Sequence, residues 1–106
     1  MANIRINRIS SEYMQALASC MRALKDPRVQ GFVSITRCEV TNDLRYAKVF
    51  ISVLGDERAE RDAMRGLKSA AGYLRREVAK KVGLRAAPEP MFYLDDSIRH
   101  GASILS

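Results

Sequence analysis

Basic side chains are concentrated in one stretch of this 106-residue chain, between positions 61 and 85. Only Asp62 and Glu77 are acidic there, whereas a solvated helix surface usually carries charges of both signs. Lysine and arginine bind phosphate, and arginine does so through two parallel hydrogen bonds. The excess of one sign predicts phosphate contacts, and the candidates are Arg61, Arg65, Lys68, Arg75, Arg76, Lys80, Lys81 and Arg85.

Four other cations are candidates to extend this surface. Arg45 and Lys48 lie near a predicted hairpin, and Arg5 and Arg8 lie near the N-terminus. A frayed N-terminus or a solvated helix would explain Arg5 and Arg8 nearly as well. Phosphate contact and ordinary solvation therefore both stay open for these four residues.

Few residues could carry catalysis or hold a metal. The only histidine is His100, and an isolated exposed histidine is rarely a general base. Asp95 and Asp96 could bind a metal, but Asp96 or Ser97 at a helix N-cap is the commoner meaning of this pattern. No glycine is followed by lysine and then serine or threonine, so there is no phosphate-binding P-loop. The sequence predicts a protein that is not an enzyme and needs no cofactor or metal.

Composition indicates a single domain spanning residues 1–106. An apolar content of 47% supports one modest core, while a net charge of +6 and a pI near 9.7 favour a polyanionic partner, either nucleic acid or an acidic membrane surface. No apolar run resembles a signal sequence or approaches membrane-spanning length. Cys20 and Cys38 have no spacing suited to zinc, and we expect both to be reduced core residues. We expect a cytoplasmic monomer with no membrane association.

Apolar residues recur at every third or fourth position in two stretches, which predicts two helical regions. The first covers residues 9–24 and ends at Asp26-Pro27, because proline disfavours helical geometry at the residue before it. The second covers residues 57–82, begins with acidic residues and ends at Gly83. Its apolar face continues through Gly72.

Alternating apolar residues predict a β-hairpin and one further strand. In residues 33–40 the alternation slips by one between Ile35 and Cys38, which marks a β-bulge. A turn at Asn42-Asp43 leads to residues 47–53, which should pair antiparallel with the first strand. Residues 91–94 should form a third strand at a sheet edge, and a last helical turn should follow Asp96-Ser97. These elements describe an α+β domain with helices on one face of a three-stranded sheet.

Gly72 stands inside the second helical region, in the run Ala70-Ala71-Gly72-Tyr73. A glycine within a helix costs about 1 kcal/mol relative to alanine. Either the helix ends early at a glycine C-cap, or it kinks so that another backbone, such as that of a nucleic acid, can approach. The continued periodicity favours a kink or a tight helix-turn-helix. We expect a left-handed or closely approached backbone at Gly72, with Ala70 and Tyr73 as neighbouring contacts.

Core packing is the expected role of most aromatic residues, because Tyr13, Phe32, Tyr46, Phe50, Phe92 and Tyr93 lie in or beside predicted core elements. Only Tyr73, beside the kink, is a candidate for base stacking. A nucleic-acid-binding protein of this kind should read folded RNA shape and backbone rather than single-stranded sequence.

The predicted order of helix, strand, strand, broken helix and strand is that of a type II KH-like domain. KH domains clamp a nucleic-acid backbone with a GXXG loop between two helices, and Ala70-Ala71-Gly72 occupies the equivalent junction. The chain resembles the ribosome-binding factor A family through patterns in order along nearly its whole length: Lys25-Asp26-Pro27-Arg28, Val40-Thr41-Asn42-Asp43-Leu44-Arg45-Tyr46-Ala47-Lys48-Val49, Ala70-Ala71-Gly72-Tyr73-Leu74-Arg75, Arg85-Ala86-Ala87-Pro88-Glu89 and Phe92-Tyr93-Leu94-Asp95-Asp96-Ser97.

This resemblance implies a KH-like fold in which an Ala-x-Gly kink replaces the GXXG loop. It implies binding to the small ribosomal subunit and its rRNA during late maturation and rRNA processing, a role in cold adaptation and no catalysis. It also suggests a ribosome-associated GTPase as the agent of release.

Two alternatives and two departures stay open. The chain could be a basic interaction module that docks on an acidic protein. It could instead be a general KH-type binder of single-stranded RNA, and the missing GXXG loop argues against this second alternative. Pro90 stands where the family usually has an aliphatic residue, so the third strand should be shorter or displaced. The sequence also stops at Ser106 without the long polar tail of many relatives.

Overall fold

The computed structural model describes residues 4–29 and 33–95 of the chain. They form an α+β fold of three helices and a three-stranded sheet, as predicted. The predicted terminal helical turn, His100 and Phe32 lie outside the described residues. In chain order the elements are α1 (Ile4–Arg22), β1 (Val33–Val40), β2 (Tyr46–Val53), α2 (Glu57–Ser69), α3 (Ala71–Val82) and β3 (Glu89–Leu94).

The central strand of the sheet is β2. It pairs antiparallel with β1 and parallel with β3, which it reaches through the crossover formed by α2 and α3. The register between β1 and β2 shifts between Ile35 and Arg37, so the predicted β-bulge is confirmed. The turn between these strands closes where the Leu44 N–H donates to the Thr41 carbonyl at 2.9 Å.

The hydrophobic core lies between one face of the sheet and the three helices. Ala47, Val49 and Ile51 of β2 are fully buried, and so are Leu17 of α1 and Leu67 of α2. The β2 residues between them are more exposed, because successive side chains of a strand point to opposite faces. The predicted arrangement, with helices on one face, is confirmed.

Helix α1 begins at Ile4, five residues before the predicted start at position 9. Arg5, Asn7 and Arg8 are exposed there, whereas Ile6, three residues before Ile9, is half-buried. The apolar stripe of α1 therefore extends back to Ile6, ahead of the predicted start. Farther along, the buried Tyr13 hydroxyl donates to the Pro88 carbonyl at 2.8 Å, which ties α1 to the segment before β3.

Strand β3 begins at Glu89 and contains Pro90, so the expectation of a shortened or displaced strand is wrong. The Glu89 N–H donates to the Arg45 carbonyl, and the Asp95 N–H donates to the Ile51 carbonyl. Both N–H groups therefore point toward β2. Because peptide groups alternate along a strand, the position of Pro90 faces the free edge. Proline is tolerated there because it removes no ladder hydrogen bond.

The second helical region breaks at Ala70, the first residue of the predicted Ala70-Ala71-Gly72 junction, so the predicted break at this junction is confirmed, but Gly72 itself does not form it. Ala70 ends α2 and begins α3, with φ −91° and ψ 1°. Alanine adopts this conformation, so the break needs no glycine. Gly72 is the second residue of α3, and a Cβ added to it would come no closer than 3.8 Å to the Arg76 side chain. The expected left-handed backbone at Gly72 is wrong, because the described glycines with positive φ are Gly55 and Gly83.

The prediction that most aromatic residues pack in the core holds only in part. Tyr13 and Phe92 are buried, but Tyr46 and Tyr93 are 43% and 42% exposed on the sheet face that points away from the helices. Phe50 lies on the same face and is half-buried. These three alternate with the buried residues of their strands, so the strand period decides their side of the sheet.

Candidate nucleic-acid interface

A groove with a volume of about 430 Å³ runs between α2 and the end of β3. Arg61, Arg65 and Lys68 lie along its α2 wall, and Leu94 contributes from β3. The α2 wall also includes Met64 and two carboxylates, Glu57 and Glu60, so the groove has a cationic row beside an acidic end. The spacing of four and then three residues places the three cations on one face of the helix. The structure therefore gathers three of the predicted phosphate contacts into one concave surface.

Helix α2 presents this face because its other side is fixed in the core. Asp56 caps its N-terminus by accepting a hydrogen bond from the Ala59 N–H at 2.9 Å. Ala63 and Leu67 are buried against the sheet, which leaves the cations at the surface. Arg61 also lies 3.9 Å from Glu57, and both side chains are largely exposed, so this ion pair holds the arginine only weakly.

The groove leads toward the junction between α2 and α3. Ala70 forms no side-chain cap at the start of α3, and Gly72 and Tyr73 are exposed in its first turn. The N–H groups of a first helical turn lack partners within the helix and carry the positive end of its dipole. The Arg76 guanidinium lies beside Gly72, so a cation and free donors occur together at this junction.

The other predicted contacts on α3 are arranged differently. The Arg75 Nε–H donates to the Ala87 carbonyl at 2.8 Å, which fastens α3 to the segment before β3. Lys80 forms an ion pair with Glu77 at 3.1 Å. Lys81 lies near α1, where its charge opposes the rise that burial causes in the pKa of Cys20. These cations therefore do not share one face with the α2 row.

The remaining sequence candidates lie away from the groove. Arg85 is exposed between α3 and β3, and Lys48 points outward from the sheet. Arg45 is exposed in the turn before β2, while its carbonyl accepts the Glu89 N–H. Arg5 and Arg8 are exposed on the first turns of α1.

Sequence reasoning missed the contribution of β3 to the groove. Leu94 lines it, and alternate peptide groups of β3 face the free edge of the sheet rather than β2. The order of strands in the sheet determines which edge lies beside α2, and no local pattern reveals that order. The prediction of an edge strand at residues 91–94 was the available signal.

Other kinds of site find little support in the described part of the chain. Residues 4–29 and 33–95 contain no group of three histidine, cysteine or acidic side chains placed to hold a metal. Their helices include none that is long and apolar enough to cross a membrane. Burial raises the pKa of the Cys38 thiol to about 11, which keeps it protonated and unreactive near neutral pH.

Comparison with known proteins identifies the family. The model of the family described as Ribosome-binding factor A matches residues 5–106. A ribosome-binding factor A of Clostridium novyi (strain NT) is 49% identical over 105 residues, which cover 98% of this chain and 87% of that protein.

Two structures of relatives share the fold. The solution NMR structure of a Thermotoga maritima ribosome binding factor A is 34% identical, with a TM-score of 0.77 over 88% of this chain and 89% of that one. A homology model of the Thermus thermophilus ribosome binding factor A, fitted into the cryo-EM map of its complex with the 30S subunit, is 24% identical, with a TM-score of 0.68 over 82% of this chain and 91% of that one. The chain belongs to the ribosome-binding factor A family.

Proposed function

We propose that this protein is a maturation factor that binds the rRNA of the immature small ribosomal subunit. The observation that carries the proposal is the row of Arg61, Arg65 and Lys68 along a groove that leads to the exposed first turn of α3. Family membership, and the 30S complex of the Thermus thermophilus relative, support the small subunit as the partner.

The groove suits an RNA backbone. The three cations of α2 would meet successive phosphates, and the first turn of α3 would offer backbone N–H groups to another. Gly72 leaves space above this turn for a phosphate to approach. Such contacts recognise backbone position and shape rather than base identity.

Binding of this kind would act through differential affinity. A factor that binds one conformation of the maturing subunit more tightly than others stabilises that conformation without chemistry. Release requires a change that removes this preference, and a ribosome-associated GTPase remains the proposed agent. The protein would act in the cytoplasm as a monomer.

The test measures affinity for purified immature small subunits over a series of salt concentrations. Replacing Arg61, Arg65 and Lys68 together by glutamine should weaken binding. It should also lower the slope of log affinity against log salt by about one for each phosphate that the variant no longer neutralises. A matched control makes the same change of charge at exposed positions outside the groove: Arg22, Lys25 and Arg85.

Equal weakening of binding in the two triple variants would show that only net charge matters and would contradict a specific groove. Tighter binding to acidic proteins than to rRNA fragments would support the interaction-module alternative instead. In cell extract, the protein should sediment with free small subunits rather than with translating ribosomes.

A further inference from the structure

The sheet face opposite the helices, here called the outer face, carries large exposed side chains that the groove does not use. Tyr46 of β2 and both Met91 and Tyr93 of β3 each leave 40% or more of their surface in water. Phe50 of β2 lies directly beside Tyr93 and four residues after Tyr46. Met91 lies between the levels of Tyr46 and Tyr93 along the sheet, so these side chains form one continuous strip, and such apolar strips typically mark interaction sites.

One cross-strand row on the outer face is already assembled. The Arg37 guanidinium lies 4.1 Å above the centre of the Phe50 ring, and the Tyr93 ring stacks on Phe50 with centroids 5.6 Å apart. These contacts stabilise the sheet, which accounts for Phe50. They also hold the Tyr93 ring in a fixed position with part of its surface open.

Tyr46 does not belong to that row. It lies four residues before Phe50 on β2, which places it roughly 13 Å along the strand, given a rise of about 3.3 Å per residue. Lys48 lies between them, beside Met91 on β3. Two ring platforms so far apart suit an extended strand with separated bases, and a base-paired helix cannot present its base faces to them.

The charge on the outer face argues for bases rather than for an acidic protein. Arg37 and Lys48 face three carboxylates: Glu39, which pairs across the strands with Lys48, Glu89, which pairs with Tyr46, and Asp95, which follows Tyr93 by two residues and accepts a hydrogen bond from the Thr36 hydroxyl. A face without net positive charge attracts neither an acidic protein nor the phosphates of a polyanion by charge, so binding there must come from contacts with the rings. Aromatic rings, in contrast, stack on the faces of all four bases.

We propose that the outer face binds unpaired RNA nucleotides by stacking on Tyr46 and Tyr93. The proposal rests on the proposed function, because it requires an RNA strand in the groove. Leu94 lines that groove, and the residue before it, Tyr93, points to the outer face. A single RNA strand leaving the groove would therefore cross the edge of β3 onto these rings. Recognition would combine backbone contacts in the groove with base contacts on the sheet.

The experiment compares an unstructured RNA of about ten nucleotides with a hairpin of the same length. Loss of each stacking ring should weaken single-strand binding about five-fold or more. Replacing Tyr46 and Tyr93 together by serine should therefore weaken it about 25-fold or more. The salt slope should not change, because no phosphate contact is removed. Phenylalanine at both positions should preserve binding. Leu54→Ser is the matched control, because Leu54 is 73% exposed directly after β2.

A measurement on the unaltered protein does not depend on folding of the variants. Stacked bases should move the ring-proton NMR signals of Tyr46 and Tyr93 upfield when the single strand is added. Unmoved signals, or full affinity in the serine variant, would overturn the proposal.

The remaining outcomes separate the two surfaces. A serine variant that binds single strands normally but no longer binds small subunits would assign the outer face to a protein partner and overturn the proposal. Replacing Arg61, Arg65 and Lys68 should lower the salt slope but leave the tyrosine shifts at saturating RNA. If this variant keeps the wild-type salt slope while the tyrosine shifts persist, the groove does not bind the RNA backbone, whereas the outer face still stacks on bases.

Discussion

A Cβ added to Gly66 would lie 2.6 Å from Cγ2 of Val29. The segment after α1 therefore packs directly on the backbone of α2, at a point where only hydrogen fits. Arg28 stiffens that segment by donating from Nε and Nη2 to the Asp26 carboxylate, at 2.7–3.2 Å. This contact sets the position of the helix that carries the groove cations.

Replacing Gly66 by alanine should destabilise the protein. Helix propensity would gain about 1 kcal/mol, but overpacking costs about 1–3 kcal/mol, and the short, branched Val29 side chain cannot move aside easily. We expect the free energy of unfolding to fall by about 1 kcal/mol in urea titrations. In a Val29→Ala background the same change should cost less, and an identical cost in both backgrounds would show that the contact is not the cause.

Gly72→Ala should have the opposite effect. The nearest atom to the new Cβ would be Arg76 Nη1 at 3.8 Å, an ordinary contact, so alanine should stabilise α3 by about 0.5–1 kcal/mol. If an RNA backbone approaches this turn, the variant should unfold at a higher temperature yet bind small subunits more weakly. A raised midpoint with undiminished binding would show that Gly72 has no role in contact.

Tyr13→Phe should lower stability by about 1 kcal/mol or more, because it leaves the buried Pro88 carbonyl without its donor. Burial also raises the pKa of Tyr13 above the value of about 10 in an unfolded chain. Its contribution to stability is therefore complete below about pH 10 and declines as the pH rises further. Near pH 11 the buried Tyr13 hydroxyl should stay protonated in the folded protein, so wild type and the Tyr13→Phe variant should show the same tyrosinate absorbance. When both are unfolded in guanidinium, the wild type should show the absorbance of one additional tyrosinate.

The pKa of Asp26 should respond to Arg28. Side-chain and backbone hydrogen bonds from Arg28 hold it below its ordinary value of 3.8. The stabilising effect of this contact is therefore complete above the unfolded pKa and disappears as the pH falls through the lower folded value. Carbon NMR of the carboxyl group should give a midpoint below 3.8, and Arg28→Ala should raise it. An unchanged midpoint in that variant would contradict the contact.

Period and turn chemistry were enough to predict the β-hairpin of β1 and β2. The bulge near Ile35 and the hairpin at Asn42-Asp43 appear in the sequence because a slip of one residue reverses which face is apolar. The same period indicated the correct side for Tyr46 and Phe50, which alternate with Ala47 and Val49. The expectation that most aromatic residues pack in the core overrode that signal.

The exact residue at the helix break and the position of the groove could not be predicted in the same way. Gly72 is a strong local signal, but the break depends on how α2 and α3 pack, and Ala70 adopts the required conformation without strain. The groove depends on which sheet edge lies beside α2. Charge counting placed Lys68 and Lys81 in one cluster, whereas helix geometry and the Glu77 pairing of Lys80 divide that cluster among different faces.

Pro90 has a consequence for how copies of this protein meet. A free sheet edge is a template on which a second molecule can add a strand, and repeated addition builds fibrils. The Pro90 nitrogen points away from β2 and carries no hydrogen, so this edge of β3 offers one donor fewer to any such ladder. Addition of a second copy's strand is therefore disfavoured at this point of the edge.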